Sequence, residues 1–93
     1  MADRRLLVLV SLSDGPKHGY AIQQDIEGFA GVRLGPGTLY GAIASLERDE
    51  LIARLQGDER RRPYEITTVG RQVLQDELTT MTVLLRRAGA AAT

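Results

Sequence analysis

Between Pro36 and Thr67 the sequence changes periodicity twice, and that stretch constrains the fold more than any other. Pro36 suits the first position of a helix, where its missing N–H costs nothing. Leu39, Ile43 and Leu46 follow at i, i+4 and i+7, which predicts a helix over Pro36 to Arg48 with one face toward a core. Thr38, Gly41, Ala42, Ser45 and Arg48 lie off that stripe, so the opposite side is built of small and polar residues. Small residues let a helix lie close against another surface. Two short apolar runs come next, Leu51 to Gln56 and Pro63 to Thr67, and both read as strands. They are joined by Gly57-Asp58-Glu59-Arg60-Arg61-Arg62, longer than a tight hairpin turn and therefore expected to project. A helix feeding a two-stranded ribbon with a basic tip is the layout of a winged helix. In that layout the helix enters a DNA groove and the ribbon tip grips the neighbouring backbone.

The rest of the chain supplies a body for that unit. Asp3 to Ser13 reads as a first helix, buried on most of its circumference by Leu6, Leu7, Leu9, Val10 and Leu12. Asp14-Gly15-Pro16 ends it. A second helix spans Gly19 to Glu27, with Tyr20, Ile22 and Ile26 apolar and Gln23, Gln24, Asp25 and Glu27 wet; Gly28 and Gly31 bracket its exit. Val32-Arg33-Leu34 alternates like a very short strand. Thr68 to Arg87 forms a last helix of about 20 residues, or about 30 Å. Leu74, Leu78, Met81 and Leu85 sit at steps of four, three and four, a heptad-like seam that Val73 and Leu84 widen. Such a helix carries more apolar surface than a small domain covers. The alanine-rich end reads as a frayed tail. The fold class is thus mainly α with a small β-hairpin. Residues 1–67 form a winged-helix DNA-binding domain, 68–88 a carboxy-terminal dimerisation helix and 89–93 a tail.

At 93 residues the chain makes one small core, for which oligomerisation is a further source of stability. Twelve basic residues balance twelve acidic ones, so net charge counts against nucleic acid and only the uneven local distribution argues for it. Without cysteine there is no disulfide, thiolate zinc site or cysteine nucleophile, which suits a reducing cytosol. Leu6 to Leu12 is too short to span a bilayer, and Pro16-Lys17-His18 makes a poor signal-peptide cleavage site. The expectation is a cytoplasmic protein with no membrane partner.

Candidate DNA contacts are Lys17, Gly37, Thr38, Tyr40, Ser45, Arg48, Arg60, Arg61 and Arg62. Thr38 lies in a first helical turn, where free N–H groups and the helix dipole favour phosphate. Tyr40 serves as a phosphate donor or as half-buried packing, and Ser45 as a groove reader or an indifferent surface serine. Arg60, Arg61 and Arg62 suit phosphates or a narrow minor groove, against the alternative of a solvated turn offset by Asp58 and Glu59. Lys17 reads as a phosphate contact or a solvated lysine. His18, the sole histidine, lacks the partners a metal site needs. No nucleophile elbow is present, and Gly35-Pro36-Gly37 lacks the lysine of a phosphate loop. No catalytic residue, metal or cofactor is expected.

Four pieces resemble PadR-type transcriptional regulators: the leucine-rich opening ending Asp14-Gly15-Pro16; His18-Gly19-Tyr20-Ala21-Ile22; Pro36-Gly37-Thr38-Leu39-Tyr40 with Leu46-Glu47; and Arg62-Pro63-Tyr64-Glu65-Ile66-Thr67 followed by Gly70. Their order and spacing carry the resemblance from Leu6 to about Leu85. It implies a homodimeric repressor whose carboxy-terminal helix, through Leu74, Leu78, Met81 and Leu85, mediates dimerisation. Gly41 stands where the family commonly has proline, and Gly35 where serine caps a helix better. Some small members bind flat aromatic drugs between tryptophans, but this chain has no tryptophan. The expected function is repression through a pseudo-palindromic double-stranded operator, with a small apolar effector left open. The alternatives are a winged-helix protein–protein adaptor, which zero net charge favours, or a small-molecule sensor without its own operator.

Overall fold

The computed structural model describes residues 3–57 and 62–92. Helix α1 (Arg4–Leu12) is its central column. Asp3 caps it, its carboxylate accepting from the Arg5 backbone N–H at 3.0 Å, as short acidic side chains do at helix starts. Leu6, Leu7, Val8, Leu9 and Leu12 are all buried, so α1 is covered nearly all round. Ser11 is the buried polar residue among them, and its hydroxyl donates to Asp25 at 2.8 Å. Helix α2 (Gly19–Ala30) buries Ile22 and Ile26 against this column. It continues three residues past the expected end, through Gly28, and stops where Gly31 turns left-handed at φ 66° and donates its N–H to the Glu27 carbonyl. A left-handed glycine is a frequent helix terminator because it has no Cβ to clash.

Helix α3 (Pro36–Arg48) buries Leu39, Ala42, Ile43 and Leu46. Ala42, expected on the outer side, falls at the edge of the core stripe. Strands β1 (Ile52–Arg54) and β2 (Tyr64–Ile66) pair antiparallel, with Ile52 opposite Ile66 and Arg54 opposite Tyr64. They are shorter than the apolar runs suggested. Val32-Arg33-Leu34 forms no strand. The other edge of β2 goes to Lys17, whose N–H donates to the Tyr64 carbonyl at 3.1 Å and whose carbonyl accepts from Tyr64 at 2.9 Å. Leu34 is instead buried, and its carbonyl accepts from the Gln23 amide at 2.6 Å.

Helix α4 (Thr68–Ala92) is 25 residues long, about 37 Å at helical rise. It continues beyond the expected end near Arg87, which suits the high helix propensity of its alanines. Thr67 launches it: its hydroxyl donates to the Glu50 carbonyl at 2.8 Å and accepts from the Gly70 N–H at 2.9 Å. Gly70 lies so close to the hairpin that an added Cβ would overlap the Leu51 carbonyl oxygen. Leu74 is buried in the core with Val73 packed beside it. From Gln75 to Ala88 every residue is exposed. The outward run of α4 makes the molecule long, 51 Å against 26 and 20 Å.

Candidate nucleic-acid interface

The outer face of α3 follows from its helical period. Gly37, Gly41, Ala44 and Arg48 recur one turn apart, opposite Leu39, Ile43 and Leu46, and all four are exposed. A Cβ added at Gly37 or Gly41 would meet nothing within 4 Å, so the first two turns are bare backbone. From Gly37 to Ala44 no large side chain on this line holds another surface away. Arg48 closes it at the carboxy-terminal end.

Tyr40 stands on one flank of this line, 49% exposed. Its ring rests over Gly19 in the first turn of α2, where an added Cβ would overlap the phenol. Tyr40 therefore packs and keeps an exposed face, which joins the two readings of it. Beside it lies an open cleft of about 260 Å³ lined by His18, Tyr20, Tyr40, Arg54, Arg62 and Tyr64. The start of α2 faces it with no side-chain cap from His18. Arg54 donates to the Tyr64 hydroxyl at 2.9 Å and lies 5.2 Å from that ring's centre, an orienting cation–π contact. Glu47 is 3.7 Å from the same guanidinium. Arg62, which also lines the cleft, donates from Nε to the Leu55 carbonyl at 3.4 Å. Arg60 and Arg61 lie outside the described residues.

The other flank is set by α1. Thr38 and Ser45 face Asp3, Arg4 and Arg5. The Arg5 guanidinium donates to the Ser45 hydroxyl at 2.7 Å and to the Asp49 carboxylate at 2.8 Å, locking α3 onto α1. Ser45 is thus engaged by the protein's own arginine. Lys17 is likewise turned inward: its amine donates to the Ser11 carbonyl and to Asp14, with Asp25 at 3.9 Å. That ammonium holds the Asp14 carboxyl below its ordinary value, first by hydrogen bonding and then by charge.

Of the sequence candidates, the structure brings Gly37, Tyr40 and Arg48 to the outer side of α3 and Arg62 to the adjoining cleft. It gives Thr38 and Ser45 to the opposite flank and Lys17 to an internal ion pair. Leu74 joins the protomer's own core, so the uncovered part of the α4 seam is Leu78, Met81 and Leu85, with Leu84 alongside. Sequence reasoning missed Ala44, which the spacing from Gly37 and Gly41 would have found, and Arg54, whose position in β1 gave no such signal.

Residues 8–76 match the transcriptional regulator PadR-like family. The chain belongs to this family. It is similar to the transcriptional regulator Rv3488 of Mycobacterium tuberculosis, at 33% identity over 88% of this chain and 78% of that protein. An uncharacterised 37.1 kDa protein in transposon TN4556 of Streptomyces fradiae is 48% identical over 91% of this chain, which spans only 25% of that relative's length. Among solved structures, a PadR family regulator from Clostridium difficile shares the fold at a TM-score of 0.87, with 20% identity, covering 97% of this chain and 98% of that one. A transcriptional regulator from Clostridium thermocellum, Cth-833, matches at a TM-score of 0.79 and 26% identity over 92% of this chain and 89% of that one.

As a PadR-family member the chain is a DNA-binding transcriptional regulator, not an enzyme. The winged helix expected from Pro36 to Thr67 is the family's fold, built here from α3 and the β1–β2 hairpin. No helix among the described residues is long and apolar enough to cross a membrane.

Proposed function

We propose that two copies of this chain join through the distal half of α4 and read a pseudo-palindromic operator as a repressor. The observation that carries the reading is the α4 stripe. Leu78, Met81, Leu84 and Leu85 are 40–71% exposed and adjoin core residue Leu74 on one helical face. Such a seam is a coiled-coil-like surface awaiting a second helix. A two-fold dimer presents two α3 helices to successive turns of one groove, about 34–36 Å apart. In each half-site the bare line Gly37-Gly41-Ala44 lies against base edges, and Arg48 and the Tyr40 hydroxyl reach phosphates. Arg62, with Arg60 and Arg61 next in sequence, grips the backbone beyond the wing. A dimer seated over a promoter represses by exclusion.

Selection of bound sequences from a random duplex pool tests this reading. The expected product is an inverted repeat with half-site centres about 10 base pairs apart. Absence of enrichment, together with no gel retardation at low salt, overturns it and favours the protein–protein adaptor.

A further inference from the structure

We propose that Arg4 and Arg33 form a second phosphate-binding track on the flank of α3 opposite the wing. This inference rests on the DNA reading above and adds a site to it. Its partner is the DNA strand across the groove from the one met by the Tyr40 cleft.

The two arginines come from distant parts of the sequence and meet at one place. Arg4 begins α1 and Arg33 lies in the α2–α3 connection, yet both line one cleft together with Thr38. Arg4 also lines the adjoining cleft with Gly37 and Gly41, which links this flank directly to the outer line of α3. Arg33 is held outward because its neighbour Leu34 is buried and has its carbonyl taken by Gln23. The connection is therefore anchored while the guanidinium next to the anchor stays exposed.

The pairing pattern of the cations points the same way. Arg5, Lys17, Arg54, Arg62 and Arg71 each donate to a protein oxygen. Among the described residues the side chains of Arg4, Arg33, Arg48, Arg86 and Arg87 make no hydrogen bond or ion pair; the last two lie far along α4, and the other three surround α3. An unpaired guanidinium keeps its whole planar donor set for phosphate oxygens. Asp3 lines one cleft with Arg4, and its Oδ1 already accepts from the Arg5 N–H. The α3 start adds to the field: its first N–H groups lack intrahelical partners, and Gly35 offers no side-chain cap.

Groove dimensions supply the ligand. The major groove is about 12 Å wide and a helix with its side chains about 10–12 Å across, so phosphates border a seated helix on both sides. The wing cleft meets one border. Arg4 and Arg33 meet the other.

The test is the salt dependence of binding to a fluorescent duplex of about 30 base pairs of random sequence, long enough for two half-sites. The slope of log affinity against log salt falls by about 0.9 for each phosphate contact removed. Arg4→Ala and Arg33→Ala should each flatten the slope by that amount in each protomer. Arg4→Lys and Arg33→Lys should keep most of it. Arg87→Ala, which removes the same charge far along α4, should leave it unchanged. Unaltered slopes in both alanine variants overturn the proposal, as does an equal loss with Arg87→Ala. Arg62→Ala separates the two readings: flattening there, without flattening at Arg4 or Arg33, removes this track and leaves the wing reading intact. No binding by the unaltered protein at the lowest salt removes both.

Discussion

Helices α1 and α4 are both rich in leucine, yet the protein treats them in opposite ways. In α1, Leu6, Leu7, Val8, Leu9 and Leu12 are all buried within one protomer. In α4 only the first two turns are covered, through Gly70, Val73 and Leu74, and the apolar residues from Leu78 to Ala88 are exposed. Apolar content therefore says that a surface needs a partner, and packing decides whether that partner lies in the same chain. For α1 it is the winged-helix body. For distal α4 the proposed partner is a second copy.

The largest effect that sharpens this contrast is Leu12→Ala. Leu12 is fully buried, so a cavity there should cost about 2–5 kcal/mol, seen as a lower urea midpoint at every protein concentration. Leu85→Ala should behave differently: its loss should grow or shrink with concentration, because its partner is supplied by mass action. If Leu85→Ala costs as much as Leu12→Ala independently of concentration, the two helices do not differ as described.

Next comes the junction where α4 leaves the body. Gly70→Ala places a Cβ against the Leu51 carbonyl oxygen and 2.9 Å from Ile66 Cγ1, and carbonyl backbone gives way poorly. A loss of about 1–3 kcal/mol in thermal or urea unfolding is expected. A variant of unchanged stability would mean that the covered turns of α4 are not tightly seated.

The smallest effect lies at the end of α1. Lys17 depresses the Asp14 carboxyl below its ordinary 3.8, so the stabilisation from this pair is complete above the unfolded-state value. It is lost as pH falls through the lower folded-state value. Asp14 is exposed, so the effect on unfolding is slight. NMR titration should place the Asp14 midpoint below 3.8 in the unaltered protein and return it toward that value in Lys17→Met. An Asp14 midpoint that does not respond to Lys17→Met contradicts the pairing.

What the sequence disclosed follows the same division between local pattern and distant packing. The Leu39, Ile43 and Leu46 stripe marked α3 because its information lies within one helix. The α4 seam was equally legible, but Leu74 was counted with it, since only the folded body shows which turns it covers. Val32-Arg33-Leu34 looked like a strand by alternation. The edge of β2 it would need is taken by Lys17, a pairing across most of the domain that no local pattern carries. Ser45 and Lys17 were each read from position as a DNA contact or a bland surface residue; the folded chain pairs them with Arg5 and Asp14, partners that the local pattern does not name. Arg4 and Arg33 were passed over for the converse reason: each is a lone charge in sequence, and only folding sets them together beside Thr38.

Sedimentation equilibrium on the unaltered protein and on the Leu78→Asp, Leu85→Asp double variant tests the central claim most directly. Both altered residues lie outside the protomer core, so circular dichroism should show the winged-helix body folded in each protein. The unaltered protein should be a dimer, and the double variant should dissociate to a folded monomer. A double variant that remains a dimer, or an unaltered protein that is monomeric at tens of micromolar, would contradict that claim.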